Sequence, residues 1–144
     1  VARISLIWIL LVLCKVSTVS IGVELPPGRT SEKFHFKEGW ISFFHIPKDH
    51  LTLSQNCSNL NCQAYKAFES TKFQDLKDLD GKLTGGADPG SVVCSQRLNA
   101  DIVIGTDTQG NETGFCKMKD GSMIGLGSLS FQLLSTSDKK YYVK

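Results

Sequence analysis

Apolar residues follow three patterns along this chain, and each predicts a different element. Residues 4–13 (Ile-Ser-Leu-Ile-Trp-Ile-Leu-Leu-Val-Leu) form a nearly unbroken apolar run. Residues 21–33, centred on Pro26-Pro27-Gly28, read as an extended leader. Phe34 and Phe36 then alternate with His35 and Lys37, the period of a half-buried strand. They open a β-leaning aromatic stretch with Trp40, Ile41, Phe43, Phe44 and Ile46, punctuated by Gly39 and Pro47. Leu60, Ala64, Ala67 and Phe68 share one face of a helix, with Asn56, Ser58 and Asn59 ahead of it as candidate caps. Phe73, Leu76 and Leu79 continue out of phase, so a break is expected near Ser70-Thr71.

A second helix has a sharper start. Asp88 is a strong N-cap, and Pro89 takes the first helical position, where its missing N–H costs nothing. Gly90, Cys94 and Leu98 share a face, and Asn99 tolerates the left-handed conformation that ends helices. Ile102, Val103 and Ile104 predict a β-branched strand, and Thr108-Gln109-Gly110-Asn111 a turn. Residues 114–118 predict a second strand and Lys119-Asp120-Gly121 a second turn. Leu129, Phe131 and Leu133, alternating with Ser130 and Gln132, predict a third strand. The expected fold class is α+β, a small antiparallel sheet of three or four strands packed on two helices. One domain is expected over residues 34–134, with residues 135–144 (Lys139, Lys140, Lys144) as a basic tail.

Charge alters this picture only once it is located. Arg3 and Lys15 lie in residues 1–20, which hold no acid; setting them aside lowers the 16 basic residues to 14, equal to the 14 acids. A neutral remainder gives no electrostatic reason to bind nucleic acid or an anionic membrane. The apolar run is about half the length of a stable membrane span. With Arg3 before it and Thr18-Val19-Ser20 after it, residues 1–20 read as a signal peptide cleaved before Ile21. Cys14 is the residue a lipid anchor would use, although Leu13 before it is larger than that processing favours.

Export gives the remaining cysteines, Cys57, Cys62, Cys94 and Cys116, an oxidising environment and predicts two disulfides. Of three pairings, Cys57 with Cys62 and Cys94 with Cys116 closes the two shortest loops. No Cys-x-x-Cys spacing suggests zinc.

The residues Gly86-Ala87-Asp88-Pro89-Gly90-Ser91-Val92-Val93-Cys94, then Gly110-Asn111-Glu112, Phe115-Cys116 and Asp120-Gly121-Ser122, resemble a bacterial exported domain family of unknown function that carries a hemolysin label. The resemblance covers roughly residues 85–131. It implies a bacterial origin, a periplasmic or cell-surface location and a small α+β domain, without implying haemolysis. Asp88 stands where that pattern usually has Asn, and Asn99-Ala100 where a Gly-Gly helix ending is common.

No catalytic constellation emerges. His35, His45 and His50 are the only histidines; no two share adjacent helical turns, so three unrelated surface histidines is the plainer reading, with a metal or acid–base site brought together by a strand and a turn as the alternative. Ser91 and Ser122 sit where structural hydrogen-bonders are expected, no Gly-x-Ser-x-Gly elbow occurs, and Gly125-Leu126-Gly127 lacks the setting of a nucleotide loop. Asp75, Asp78, Asp80, Asp101 and Asp107 miss the spacing of a calcium loop, and no cofactor is expected. Asn56-Cys57-Ser58 and Asn111-Glu112-Thr113 satisfy the N-glycosylation rule, which is chance in a bacterial chain. The aromatic residues 40–46 are the binding candidate left by elimination, against ordinary core as the plainer role.

The expected function is therefore non-catalytic: an exported domain binding a protein or envelope component. Two alternatives stand beside it. One is a small envelope hydrolase using histidine; the other is a secreted inhibitor of a hydrolase that presents residues 105–113 or 119–122.

Overall fold

The aromatic stretch folds as a hairpin. In the computed structural model, which describes residues 28–72, 79 and 81–141, strand β1 (Thr30–Phe36) pairs antiparallel with β2 (Gly39–Ile46). A single helical turn at Pro47–Asp49 leads to β3 (Leu51–Ser54), completing a three-stranded meander. A second meander follows: β4 (Asp101–Thr106), β5 (Glu112–Lys117) and β6 (Met123–Gly125). The meanders meet at two narrow seams, each with one residue pair in register. His35 lies opposite Thr106 between β1 and β4, and Leu53 opposite Ile124 between β3 and β6. The sheet thereby closes into a six-stranded barrel, ordered β1-β2-β3-β6-β5-β4.

This corrects the expectation of an open three- or four-stranded sheet on two helices. Among the described residues there are three α-helices: α1 (Gln63–Thr71), α2 (Pro89–Val92) and α3 (Leu126–Tyr141), with a π-helical turn (Val93–Arg97) extending α2. Strands β3 and β6, four and three residues long, are too short to display a period. Strand β1 begins at Thr30, inside the stretch that read as a leader. The segment around Leu129, expected as a strand, is helical, because a second period runs through it. Leu126, Leu129 and Leu133 are buried while Phe131 and Leu134 are 42% and 44% exposed, which is the 3–4 spacing of a helix face. The helix also runs into residues read as tail. The α1 end at Thr71 and the left-handed Asn99 (φ 47°) fall where expected. The signal segment, Cys14 and the out-of-phase residues 73–78 lie outside the described residues.

Strand alternation divides the apolar residues into two cores. Phe34, Phe36, Phe43, Phe115 and Met123 point into the barrel and fill it. Their rings meet edge-on or tilted at 4.5–5.9 Å between centroids, the arrangement aromatic quadrupoles favour. Gly105 makes room for them, since a Cβ there would sit 2.6 Å from the Phe36 ring. The intervening residues Phe44, Leu51, Leu53, Cys116 and Ile124 point outward. They bury against Ala64, Ala67 and Phe68 of α1, Val92 of α2 with Val93 and Cys94 of its extension, and Leu129 and Leu133 of α3.

The motif at residue 88 fastens this outer layer. Asp88 Oδ2 accepts from the Ser91 amide and hydroxyl at 2.8 and 3.0 Å, and Oδ1 accepts from Ser130 Oγ on α3 at 2.6 Å. Ser130 Oγ in turn accepts from the Gly90 amide at 2.8 Å. A Cβ on Gly90 would lie 2.1 Å from the Leu126 carbonyl oxygen, so α2 and α3 can touch here only through glycine. Two disulfides complete the fold, Cys57–Cys62 beside α1 and Cys94–Cys116 from the α2 extension to β5, pairing as expected. They are consistent with an oxidising, exported location. Among the described residues no helix is long and apolar enough to cross a membrane.

Gly90→Ala is expected to lose about 1–3 kcal/mol by forcing α2 away from α3, measured by urea unfolding. Cys94→Ala is expected to lose about 2–5 kcal/mol, and a loss at least as large should follow when the parent is unfolded under reductant that opens both bridges.

Candidate functional site

At one mouth of the barrel the inward-facing positions change from aromatic to polar. Glu32 and Phe34 of β1, His45 of β2, Thr52 of β3, Thr113 of β5 and Gly125 of β6 line a cleft of about 380 Å³. The first turns of α3, through Gly127, Ser128 and Phe131, form one wall, and His50 from the β2–β3 turn forms the rim. The placement follows from strand alternation. His45 is two residues from the inward Phe43, and Thr52 two from Ser54 opposite it, so both face the barrel axis beyond its aromatic plug.

Hydrogen bonds fix several of these groups. Thr52 and His45 are paired across β2 and β3, and Thr52 Oγ1 lies 3.0 Å from His45 Nδ1. Among the described residues, the Nε2 edge of the imidazole has no bonding partner. The Thr52 amide donates to Ser128 Oγ at 2.9 Å, holding the start of α3 over the mouth. His50, left-handed at φ 49° where the turn closes, stacks on Phe131 with centroids 3.9 Å apart.

Two of the three histidines therefore share one cleft and the third does not. His35 faces outward on β1, edge-on to Trp40 at 5.2 Å. The aromatic residues 40–46 also divide. Phe43 and Phe44 are core, whereas Trp40 is exposed on the outer wall. Glu32, Thr52, Thr113 and Ser128 carry no local signal in sequence; they come together only through barrel closure. Among the described residues no three His, Cys, Asp or Glu side chains converge to hold a metal ion. Asp75, Asp78 and Asp80 lie outside those residues.

The two motif serines and the two candidate loops resolve into structural roles. Ser91 bonds to Asp88. Ser122 is buried and accepts from the Ala64 amide at 3.0 Å, while Asp120 Oδ2 accepts from the Gln63 amide at 2.8 Å. Asp120 Oδ1 takes both the Ser122 amide and hydroxyl, at 2.9 and 2.5 Å. The β5–β6 turn thus caps the N-terminus of α1 from another part of the chain, which binds residues 119–122 to the fold. The β4–β5 turn is exposed, and Asp107 makes it rigid by accepting from Gln109 and Asn111 amides and the Asn111 side chain at 2.7–2.9 Å. Those bonds, the Asn111 side chain first, hold the Asp107 carboxyl below its usual range. For Asp120, partial burial pushes the carboxyl up, but the bonds from Ser122 and Gln63 outweigh it and leave it below the usual range.

No family model, curated protein or solved structure matches the chain.

A carboxyl lowered on folding stabilises the protein above its unfolded-state value, about pH 4, and that stability goes as pH falls through the folded value. Asp120→Ala is accordingly expected to lose on the order of 1 kcal/mol at pH 7, as loss of a helix cap does, reduced by its solvent exposure. The gap to the parent should shrink below about pH 4, read from urea midpoints at pH 7, 4 and 2.5.

Proposed function

We propose that this chain is a non-catalytic, exported binding domain that holds part of a protein or envelope component at the polar mouth of its barrel. The observation that carries this reading is the cleft itself. It is concave, with Phe34 and Phe131 in its lining and a few hydrogen-bonding groups beside them, the composition of a ligand site. Thr52 is bonded to His45, and Ser128 Oγ accepts from the Thr52 amide, so two of its hydroxyls are tied to the wall. Export is supported by the apolar leader and the two disulfides. The resemblance of residues 85–131 to the hemolysin-labelled exported domain favours the same compartment and adds no reaction.

The hydrolase reading draws on the same cleft, because two imidazoles stand there with the Ser128 hydroxyl. One experiment addresses both. In a titration of the protein with a library of small polar fragments, followed by ¹H–¹³C spectra of the imidazole rings, binders should move the His45 and His50 signals and leave His35 in place. His45→Ala should weaken those binders about tenfold, roughly 1.4 kcal/mol, without changing the melting temperature by more than a few degrees. Hits that move His35 alone would overturn the site, and ester or amide turnover that disappears in His45→Ala would overturn the non-catalytic assignment.

A further inference from the structure

The opposite mouth of the barrel carries different chemistry. Strand β3 ends at Ser54, opposite Phe43, while β2 runs on to Gly39. Residues 40–42 are therefore left without a ladder partner on that edge. The turn Gln55–Cys57 folds back beside them, enclosing a notch of about 350 Å³. Trp40, Ser42, Gln55 and Asn56 form its walls, and Ile41 and Met123 its floor.

Trp40 is 56% exposed, although Phe43 and Phe44 three and four residues later are almost fully buried. That exposure leaves the indole as a flat apolar surface beside the notch. His35 meets it edge-on and leaves ring surface open to the notch. Asn56 is held in place beside it. Its Oδ1 accepts from Ser54 Oγ at 2.6 Å, and Ser54 Oγ accepts from the Met123 amide at 2.8 Å. That chain orients the Asn56 amide and leaves its Nδ2 donors without a partner among the described residues. Gln55 and Ser42 add a second amide and a hydroxyl at the rim. No side chain lining the notch is charged.

From these observations we propose that the notch is a saccharide-binding site that takes a neutral pyranose. The C–H face of the sugar ring would lie on the Trp40 indole, with its hydroxyls on Asn56, Gln55 and Ser42. An aromatic platform beside fixed amides suits a ring that is apolar on one face and hydroxylated at its edge. The uncharged lining disfavours phosphate, carboxylate and metal ions, which need a compensating charge. The site stands apart from the histidine cleft, and neither reading depends on the other.

The test is a titration of the full chain, in a Trp8→Phe background so that Trp40 is the sole indole, with maltotriose, cellotriose and N,N′,N″-triacetylchitotriose, followed by fluorescence and calorimetry. At least one trisaccharide should shift the Trp40 emission and give a saturating isotherm. Trp40→Ala should weaken binding at least tenfold and Asn56→Ala several-fold, while His45→Ala leaves it unchanged. Trp40→Phe, which keeps a smaller ring, should retain part of the affinity and so separates stacking from a change in fold. Silence toward all three sugars, unchanged binding in Trp40→Ala, or saturation by a nucleoside or a proline-rich peptide in their place would overturn the proposal.

Discussion

Two consecutive residues of β5 hold this molecule in layers. Phe115 faces into the barrel, where it touches Phe34, Phe36 and Phe43; Cys116, turned the other way by the strand pleat, is bonded to Cys94 on the helical layer. A barrel of six short strands has too little interior for a large core, and helices this short do not hold their shape without a surface to cover. The alternation at Phe115-Cys116 supplies both needs at once. A one-residue slip of β5 would place sulfur inside and phenyl outside, so the disulfide also fixes the register of the strand against its neighbours.

The same alternation gives the barrel two chemically distinct ends. Along β2, the inward residues are Ile41, Phe43 and His45, so the axis passes from an uncharged floor, through an aromatic plug, to an imidazole. The plug separates the mouths. One presents titratable groups under the start of a helix, and the other presents amides beside an exposed indole. A fold with so few residues can offer two unlike surfaces because each strand spends only its middle on the core.

What was legible in the sequence was local. The cap from Asp88 to the Ser91 amide, Pro89 and Asn99 act within a turn of where they stand, and they mark the second helix because capping is short-range; the bond from Ser130 to Asp88 had no such local signal. The cysteine pairing was legible because both loops are short. The barrel was not. Its closure rests on Leu53 against Ile124 and His35 against Thr106, contacts between residues far apart in the chain, and at the first of these seams both strands are too short to show a period. The segment around Leu129 obeyed two periods at once, and only burial against α1 and α2 decided between them. The cleft was not legible: the spacing of His45 and His50 favoured unrelated surface histidines, and nothing near Ser128 or Thr113 indicated that they would face the same space.

The two narrow seams have a further consequence. Each disulfide lies on one side of the barrel, and the two meanders are joined covalently only by the backbone between them. Among the described residues, what joins the meanders is therefore noncovalent: the two seam pairs, the Phe115 ring against Phe34, Phe36 and Phe43, and the bonds from the Met123 amide to Ser54 and from the Thr52 amide to Ser128.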